Sequence, residues 1–273
     1  MISSVTSGWF DLSAYVPLRG SLVQSGDEEF LLVLVIHHIA GDGASLAPLA
    51  RDVSVAYRAR VAGREPERTE LPVQYADYTL WQREELGDLA DPESLLSDHA
   101  AYWREELAGV SKPLPLPLDR PRPEAASHRG GSVEIGLSTE TRTRIEAMAR
   151  AHGATASMVF QAALTALLHR MGSGDDVAVG SPIAGRTDEA LSDLVGFFVN
   201  SWVLRVRLSA ESSFERVLEQ VRQKALAVYE NQDVPFEILL EFLRPERSAA
   251  YHPLSRWCSH GRTTCRRNRT CPA

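Results

Sequence analysis

The apolar positions near the N-terminus follow first a strand-like and then a helix-like pattern. Residues Glu28–His38 contain the continuous apolar run Phe30–Ile36, rich in branched side chains, which predicts a strand covered on both faces. After a loop, apolar residues at helical spacing predict a helix that Ser45 caps and Gly63 ends. The apolar stripe of this helix comprises Leu46, Leu49, Val53 and Tyr57.

Two further helices are predicted before residue 110. Residues Leu71–Glu85 carry Tyr75, Tyr78 and Trp81 at a spacing of three, which favours a helix with a core-facing aromatic stripe. Residues Asp91–Leu107 have the same periodicity.

A proline-rich segment then interrupts the periodic pattern. Five prolines between residues 113 and 124 exclude a helix or a central strand and favour a stiff connector. We therefore place a domain boundary here, between residues 1–112 and 125–254.

Strands and helices alternate after the connector. The predicted strands are Ser132–Leu137, Val177–Gly180 and Trp202–Leu208, and the predicted helices are Ser138 to about Gly153, Thr155–Met171 and Ser213–Asn231. This alternation predicts an α/β layered fold.

Composition narrows the class of protein without identifying it. The chain has 273 residues, 44% of them hydrophobic and 24% charged, which is typical of a globular protein. Its net charge of −7 argues against a nucleic-acid or anionic-membrane surface. The N-terminus has no secretory signal, no apolar run reaches membrane length, and the first 257 residues lack cysteine, so we expect a cytoplasmic location.

Residues 255–273 differ in composition from the rest of the chain. They contain all three cysteines and five arginines but no acidic residue. A zinc site formed by Cys258, His260, Cys265 and Cys271 is disfavoured because the cysteine spacing fits no common zinc pattern. The other interpretations are a disordered basic tail or a frameshift at Ser255, since one added base can convert codons for Ser-Arg-Trp into codons for Phe-Gln-Val.

The motif with most chemical content is His37-His-Ile-Ala-Gly-Asp-Gly43, between the first predicted strand and the helix after it. Neighbouring residues of an extended chain point to opposite sides, so His37 and His38 are not expected to serve one small site together. A neutral imidazole can act as a general base, and Asp42 could orient it. The chain has no Gly-x-Ser-x-Gly nucleophile motif and no dinucleotide or P-loop motif. What remains is acyl transfer to an external amine, hydroxyl or thiol.

These residues resemble the His-His-x-x-x-Asp-Gly motif of condensation domains of nonribosomal peptide synthetases, in the chloramphenicol-acetyltransferase-like superfamily. Three more stretches resemble other motifs of that family in the correct order. They are Tyr75–Arg83, Val195–Asn200 with Leu204 and Arg205, and Asn231–Glu237 followed by Pro245, Arg247, Ser248 and His252–Leu254. The family more often has His where Asn231 stands. The resemblance covers about residues 10–254.

The resemblance implies a two-lobed chloramphenicol-acetyltransferase-like fold, of class α/β, with a tunnel between the lobes. Both lobes are expected to be incomplete in this chain, because family members have further segments at either end. One of those segments usually supplies the arginine partner of the motif's aspartate, so Asp42 is expected to lack its counter-charge.

The resemblance also assigns roles to residues. His38 matches the catalytic histidine, Asp42 a structural aspartate, and Gly43 the glycine whose N–H lies near the reacting carbonyl. His37 is the second histidine of the motif. We expect Asn200 and Ser45 beside the substrate channel.

The implied reaction joins a donor acyl thioester to the amine of an acceptor aminoacyl thioester. Carrier domains deliver both substrates on phosphopantetheine arms, with an adenylation domain as a further partner. No cofactor or metal is expected to bind directly. Other acyltransferases with this motif, an epimerisation domain and a non-catalytic carrier-binding fragment stay open as alternatives.

Overall fold

The structure of the protein is a computed structural model that describes residues 6–67, 69–110, 116–121, 123–125, 127 and 129–245. The chain divides into two compact units, one formed by residues 1–86 and 184–199, the other by residues 87–183 and 200–273. This division differs from the predicted boundary at residues 113–124. Residues 184–199 join the first unit because their buried side chains pack on residues 73–78.

The first unit contains an antiparallel pair of strands, β1 (Leu18–Gln24) and β2 (Phe30–Ile36). Strand β2 confirms the strand predicted from the apolar run, whereas β1 was not predicted. The pairing places Leu22 opposite Leu32 and Leu18 opposite Ile36. Side chains therefore alternate between the two faces of this hairpin.

The prediction that β2 is covered on both faces is wrong. Leu22, Phe30 and Leu32 are between 47% and 67% exposed. Among the described residues β2 pairs only with β1, so a run that is apolar enough for a buried central strand lies at the surface.

Among its described residues, the first unit also has two α-helices, α1 (Leu46–Val61) and α2 (Tyr75–Leu86), and two short 3-10 helices, His38–Ala40 and Glu189–Leu191. Helix α1 has the predicted bounds and ends before Gly63, whose φ of 67° is the left-handed conformation that glycine permits. Its predicted apolar stripe is only partly covered, since Leu46 and Tyr57 are 54% and 71% exposed whereas Leu49 and Val53 are half-buried.

Helix α2 begins four residues later than predicted and buries only part of its aromatic stripe. Tyr75 and Tyr78 pack against a core cluster formed by Leu191, Leu194 and Phe198. Trp81, the third aromatic residue of the stripe, is 56% exposed.

The second unit has a hairpin of β3 (Asp176–Ile183) and β4 (Asn200–Arg207) with helices packed around it. The helices are α3 (Leu95–Glu106), α4 (Thr139–Ala151), α5 (Ala156–Arg170), α6 (Phe214–Glu230) and α7 (Phe236–Leu243). Ser94, Ser138, Thr155 and Ser213 accept a hydrogen bond at the start of α3 to α6, as N-caps do. The predicted helices and the last two predicted strands of this half are confirmed.

One predicted strand of the second half does not form. Residues 132–137 have no regular structure, and Val133 and Ile135 are 89% and 85% exposed. A short alternating sequence becomes a strand only when a neighbouring strand accepts its backbone hydrogen bonds, and the described residues supply none here.

The core of the second unit lies between the β3–β4 hairpin and helices α5 and α6. Leu204, Val206, Leu218 and Val221 are at most 1% exposed. Arg205 lies in β4, between Leu204 and Val206, and is only 5% exposed. Its guanidinium pairs with Asp176 and donates to the carbonyl oxygens of Glu106 and Ala108, each at 2.8 Å, where α3 ends.

The structure describes no single helix that is long and apolar enough to cross a membrane. Helices α4 and α5 meet length and composition criteria only as a pair, with a bend of 100° between them. The predictions for residues 255–273, including the disfavoured zinc site and the frameshift, lie outside the described residues.

Candidate functional site

The motif His37–Gly43 forms a short loop that leaves the end of β2. The His37 N–H donates to the carbonyl oxygen of Pro17 at 2.9 Å, and the His37 carbonyl accepts from Ala40 N–H at 2.9 Å. The His37 ring accepts the Ile39 N–H at Nδ1, 3.1 Å away, and packs edge-to-face with Phe10. His37 therefore stabilises the shape of the loop through hydrogen bonds to the loop backbone and through its contact with Phe10.

His38 begins the short 3-10 helix His38–Ala40 that follows, and its side chain is exposed. Its ring lies 5.2 Å from the ring of Phe197 at an interplanar angle of 84°. Within the described part of the chain, the His38 ring makes no hydrogen bond. As predicted, the two histidines contact different residues, His37 with Phe10 and His38 with Phe197.

Asp42 lies beneath the loop and is 5% exposed. Its Oδ1 accepts a hydrogen bond from Arg186 Nη2 at 3.1 Å and from the Ser45 N–H at 2.9 Å. Its Oδ2 accepts the Phe198 N–H at 3.2 Å. Among the described residues, neither histidine ring forms a hydrogen bond with this carboxylate. Asp42 therefore does not orient an imidazole directly in this structure.

Arg186 gives Asp42 the counter-charge that the sequence interpretation expected it to lack. The two side chains are 8% and 1% exposed. The other terminal nitrogen of Arg186 donates to the carbonyl oxygens of Leu191 and Leu194, at 2.6 and 2.9 Å, and the guanidinium stacks 4.0 Å from the centre of the Phe198 ring. Arg186 could not be predicted as the partner of Asp42, because it lies 144 residues later in the sequence and no local pattern marks the contact.

Ser45 joins the loop to the segment 196–198. It is 0% exposed, and its hydroxyl accepts hydrogen bonds from the N–H groups of Asp42 and Gly196 and from Arg186 Nη2, at 3.0–3.2 Å. The same hydroxyl lies 2.9 Å from both Asp42 Oδ1 and the Gly196 carbonyl oxygen, its possible acceptors.

The prediction that the Ser45 side chain caps α1 is therefore wrong. Its hydroxyl makes no capping bond, because these contacts already occupy it. The place of Ser45 beside a substrate channel stays a prediction, and its complete burial leaves no surface for a direct contact with a substrate.

The electrostatics of this cluster favour an ionised Asp42. Burial alone would raise the pKa of the carboxyl group, but the hydrogen bonds from Ser45, Arg186 and Phe198 together lower it. The pKa of the Tyr75 hydroxyl is raised, first by burial and then by the negative charge of Asp42. Tyr75 is thus a neutral hydrogen-bond donor, and its hydroxyl donates to the Phe197 carbonyl oxygen at 2.8 Å.

Asn200 lies in the second unit, at the start of β4. Its Nδ2 donates to the carbonyl oxygens of Gln232 and Val234, and its Oδ1 accepts the N–H groups of Ser201 and Phe236. These four bonds use the full capacity of a side-chain amide. Asn200 therefore fixes the turn before α7, and its amide has no bond left for a substrate. Its place beside the substrate channel stays a prediction.

Gly43 lies in the exposed turn between Asp42 and α1. The Gly43 N–H makes no hydrogen bond to the described residues. Gly43 directly follows Asp42, whose carboxylate accepts several hydrogen bonds. The described residues contain no group of three or more histidine, cysteine or acidic side chains placed to hold a metal ion.

The fold places the chain among α/β proteins of the chloramphenicol-acetyltransferase-like class. A solved complex of the X-domain and OxyB from teicoplanin biosynthesis matches it with a TM-score of 0.87 and 33% identity, over 93% of this chain and 56% of that one. The first condensation domain of the CDA synthetase has the same fold, with a TM-score of 0.65, 24% identity, and coverage of 92% and 53%.

The chain belongs to the condensation-domain family, whose model matches residues 1–256. The isonitrile lipopeptide synthase of Mycobacterium tuberculosis is 51% identical over 245 residues, and the dimodular nonribosomal peptide synthase of Bacillus subtilis is 49% identical over the same length. These matches span 90% of this chain but 10% of each relative.

Proposed function

We propose that this chain carries the catalytic loop of a condensation domain that forms peptide bonds during nonribosomal peptide synthesis. The observation that carries the proposal is the exposed His38 imidazole on a loop fixed from below by the buried Asp42–Arg186 pair and Ser45. An exposed base on a rigid support suits a reaction between two substrates that arrive from outside.

The proposed reaction begins with the amine of an acceptor aminoacyl thioester and the carbonyl carbon of a donor acyl thioester. As the C–N bond forms, His38 accepts or positions the amine proton, and the Gly43 N–H donates to the oxyanion. The C–S bond then breaks, and the leaving thiolate takes up a proton. Both thioesters are proposed to be carried on phosphopantetheine arms of carrier domains, which an adenylation domain loads.

The assay that tests this proposal uses the full chain with two loaded carrier proteins. Product is measured by mass spectrometry as the dipeptidyl thioester on the acceptor carrier. We expect His38→Ala to lower the rate by about 100-fold or more, the range for loss of a general base. His152→Ala, a matched change just after α4, should leave the rate unchanged.

A second candidate is a non-catalytic module that binds a partner protein. The likeness to an X-domain solved in complex with OxyB favours it. Carrier or partner binding without product, equal for His38→Ala and the unchanged chain, would support this second function and contradict the first.

A further inference from the structure

The His38 ring has little in the described structure to fix its direction. It is exposed, follows a strand end, and makes no hydrogen bond to the described residues. An exposed side chain samples several rotamers, yet a base must point at one proton. The aromatic contact with Phe197 is therefore the interaction that can select an orientation.

The backbone around Phe197 is fixed on three sides. Its carbonyl oxygen accepts the Tyr75 hydroxyl at 2.8 Å. The next residue, Phe198, donates its N–H to Asp42, and the preceding Gly196 donates its N–H to Ser45. Phe197 is thus held in a frame that is rigid relative to the loop carrying His38.

Gly196 lets Tyr75 approach this frame. A Cβ atom added at Gly196 would collide with the Tyr75 ring, so the ring lies directly against the glycine backbone. The Tyr75 hydroxyl is neutral, because its pKa is raised, and it can donate over the whole ordinary pH range. Tyr75 and Gly196 come from two motifs far apart in sequence, and their packing explains why a tyrosine and a glycine stand there.

We propose that Phe197 is a positioning residue that sets the orientation of the His38 imidazole, and that Tyr75 holds Phe197 in place through its carbonyl oxygen. The consequence for catalysis rests on the function proposed above, whereas the orientation of the ring does not. An edge-to-face pair of this kind stabilises one arrangement, so its loss leaves His38 distributed over several rotamers.

The first test is the NMR spectrum of the full chain labelled at its histidine rings. The signal lost in His38→Gln assigns His38. We expect Phe197→Leu to shift the His38 ring resonances, because the ring current of the phenyl group is removed. Phe197→Tyr, which keeps a ring at the same place, should restore them, and Tyr75→Phe should shift them in the same direction as Phe197→Leu but less.

The matched control is Phe160→Leu on α5, where the side chain is 47% exposed. This variant should leave the His38 signals in place. Unchanged His38 signals in Phe197→Leu, in a chain that melts at the temperature of the unchanged protein, would overturn the proposal whether or not the chain forms peptide bonds.

The second test uses the peptide-forming assay. Phe197→Leu should lower kcat about 2- to 10-fold with KM unchanged, the effect that corresponds to one aromatic pair. Phe197→Tyr should recover most of the loss. If the NMR shift occurs but kcat stays unchanged in a chain that forms product, Phe197 contacts His38 without positioning it for catalysis, and the proposal fails.

Discussion

The charge pair Asp42–Arg186 is the residue-scale feature on which the loop depends most. Both side chains are buried, and the carboxylate also accepts two backbone N–H groups. Removing one member of a buried pair leaves the other charge without a partner in a medium that solvates it poorly. Both members of the pair are therefore needed for the loop to keep its shape. This holds whether or not two apolar side chains at these positions would give a larger free energy of unfolding.

We expect Arg186→Met to destabilise the first unit by about 3–5 kcal/mol. The measurement is the free energy of unfolding from urea denaturation, followed by fluorescence. Arg51→Met is the matched control, because Arg51 pairs with Asp193 at the surface with half of its side chain exposed. If the two variants lost the same free energy of unfolding, the buried pair would contribute no more to stability than the exposed pair.

His99 gives the second unit a dependence on pH. The side chain is 7% exposed, and its Nδ1 is buried without a hydrogen bond among the described residues. Burial lowers the pKa of the imidazole, and the negative charges of Asp233 and Asp98 only partly oppose that effect. The folded protein therefore favours the neutral ring more strongly than the unfolded chain does.

It follows that stability should fall as the pH drops below about 6.5, the ordinary pKa of histidine, since the unfolded chain then binds the extra proton. Urea denaturation at pH 8 and at pH 5.5 measures the loss. In His99→Leu the difference between the two pH values should be smaller. A difference as large as in the unchanged chain would exclude His99 as the source.

At the scale of elements, Arg205 joins β4 to the end of α3. Its guanidinium donates to the carbonyl oxygens of Glu106, the last residue of α3, and of Ala108, and it also pairs with Asp176. The hydrogen bond from Arg205 lowers the pKa of the Asp176 carboxyl group, although burial opposes it. A strand, a helix end and a neighbouring strand thus meet at one buried cation.

Arg205→Lys should cost about 3 kcal/mol, because an ammonium group cannot reach the carboxylate and both carbonyls at once. Arg207→Lys, on the same strand but exposed, is the matched control. Hydrogen exchange at the end of α3 gives a local readout. Equal protection of α3 in both variants would contradict the role given to Arg205.

At the scale of the whole molecule, the exposed apolar face of the β1–β2 hairpin should make the isolated chain self-associate. Leu22 and Leu32 face each other across the strands and are 67% and 47% exposed. Exposed apolar strands favour pairing between molecules.

Light scattering should show less association after Leu22→Lys with Leu32→Glu, which places opposite charges at paired positions. The control puts the same two charges on α4, as Thr139→Glu with Thr143→Lys. If the control lowers association as much, net surface polarity rather than this face is responsible.

The sequence by itself determined the family, most helices, three of the four strands in the described residues and the loop carrying His38. These features depend on local patterns: periodicity, capping residues and short motifs with fixed spacing. Helices α4 to α6 followed because Ser138, Thr155 and Ser213 mark their starts. The separation of the two histidine rings followed from backbone geometry alone.

Only the tertiary structure decided what surrounds the loop. Arg186 reaches Asp42, and Phe197 reaches His38, across more than 140 residues, and no local pattern encodes such contacts. The same holds for burial: the run Phe30–Ile36 is apolar enough for a core, yet strand neighbours determine whether it is covered. The structural roles of Ser45 and Asn200 also depend on backbone groups that lie far away in the sequence, such as Gly196 for Ser45 and Gln232 for Asn200.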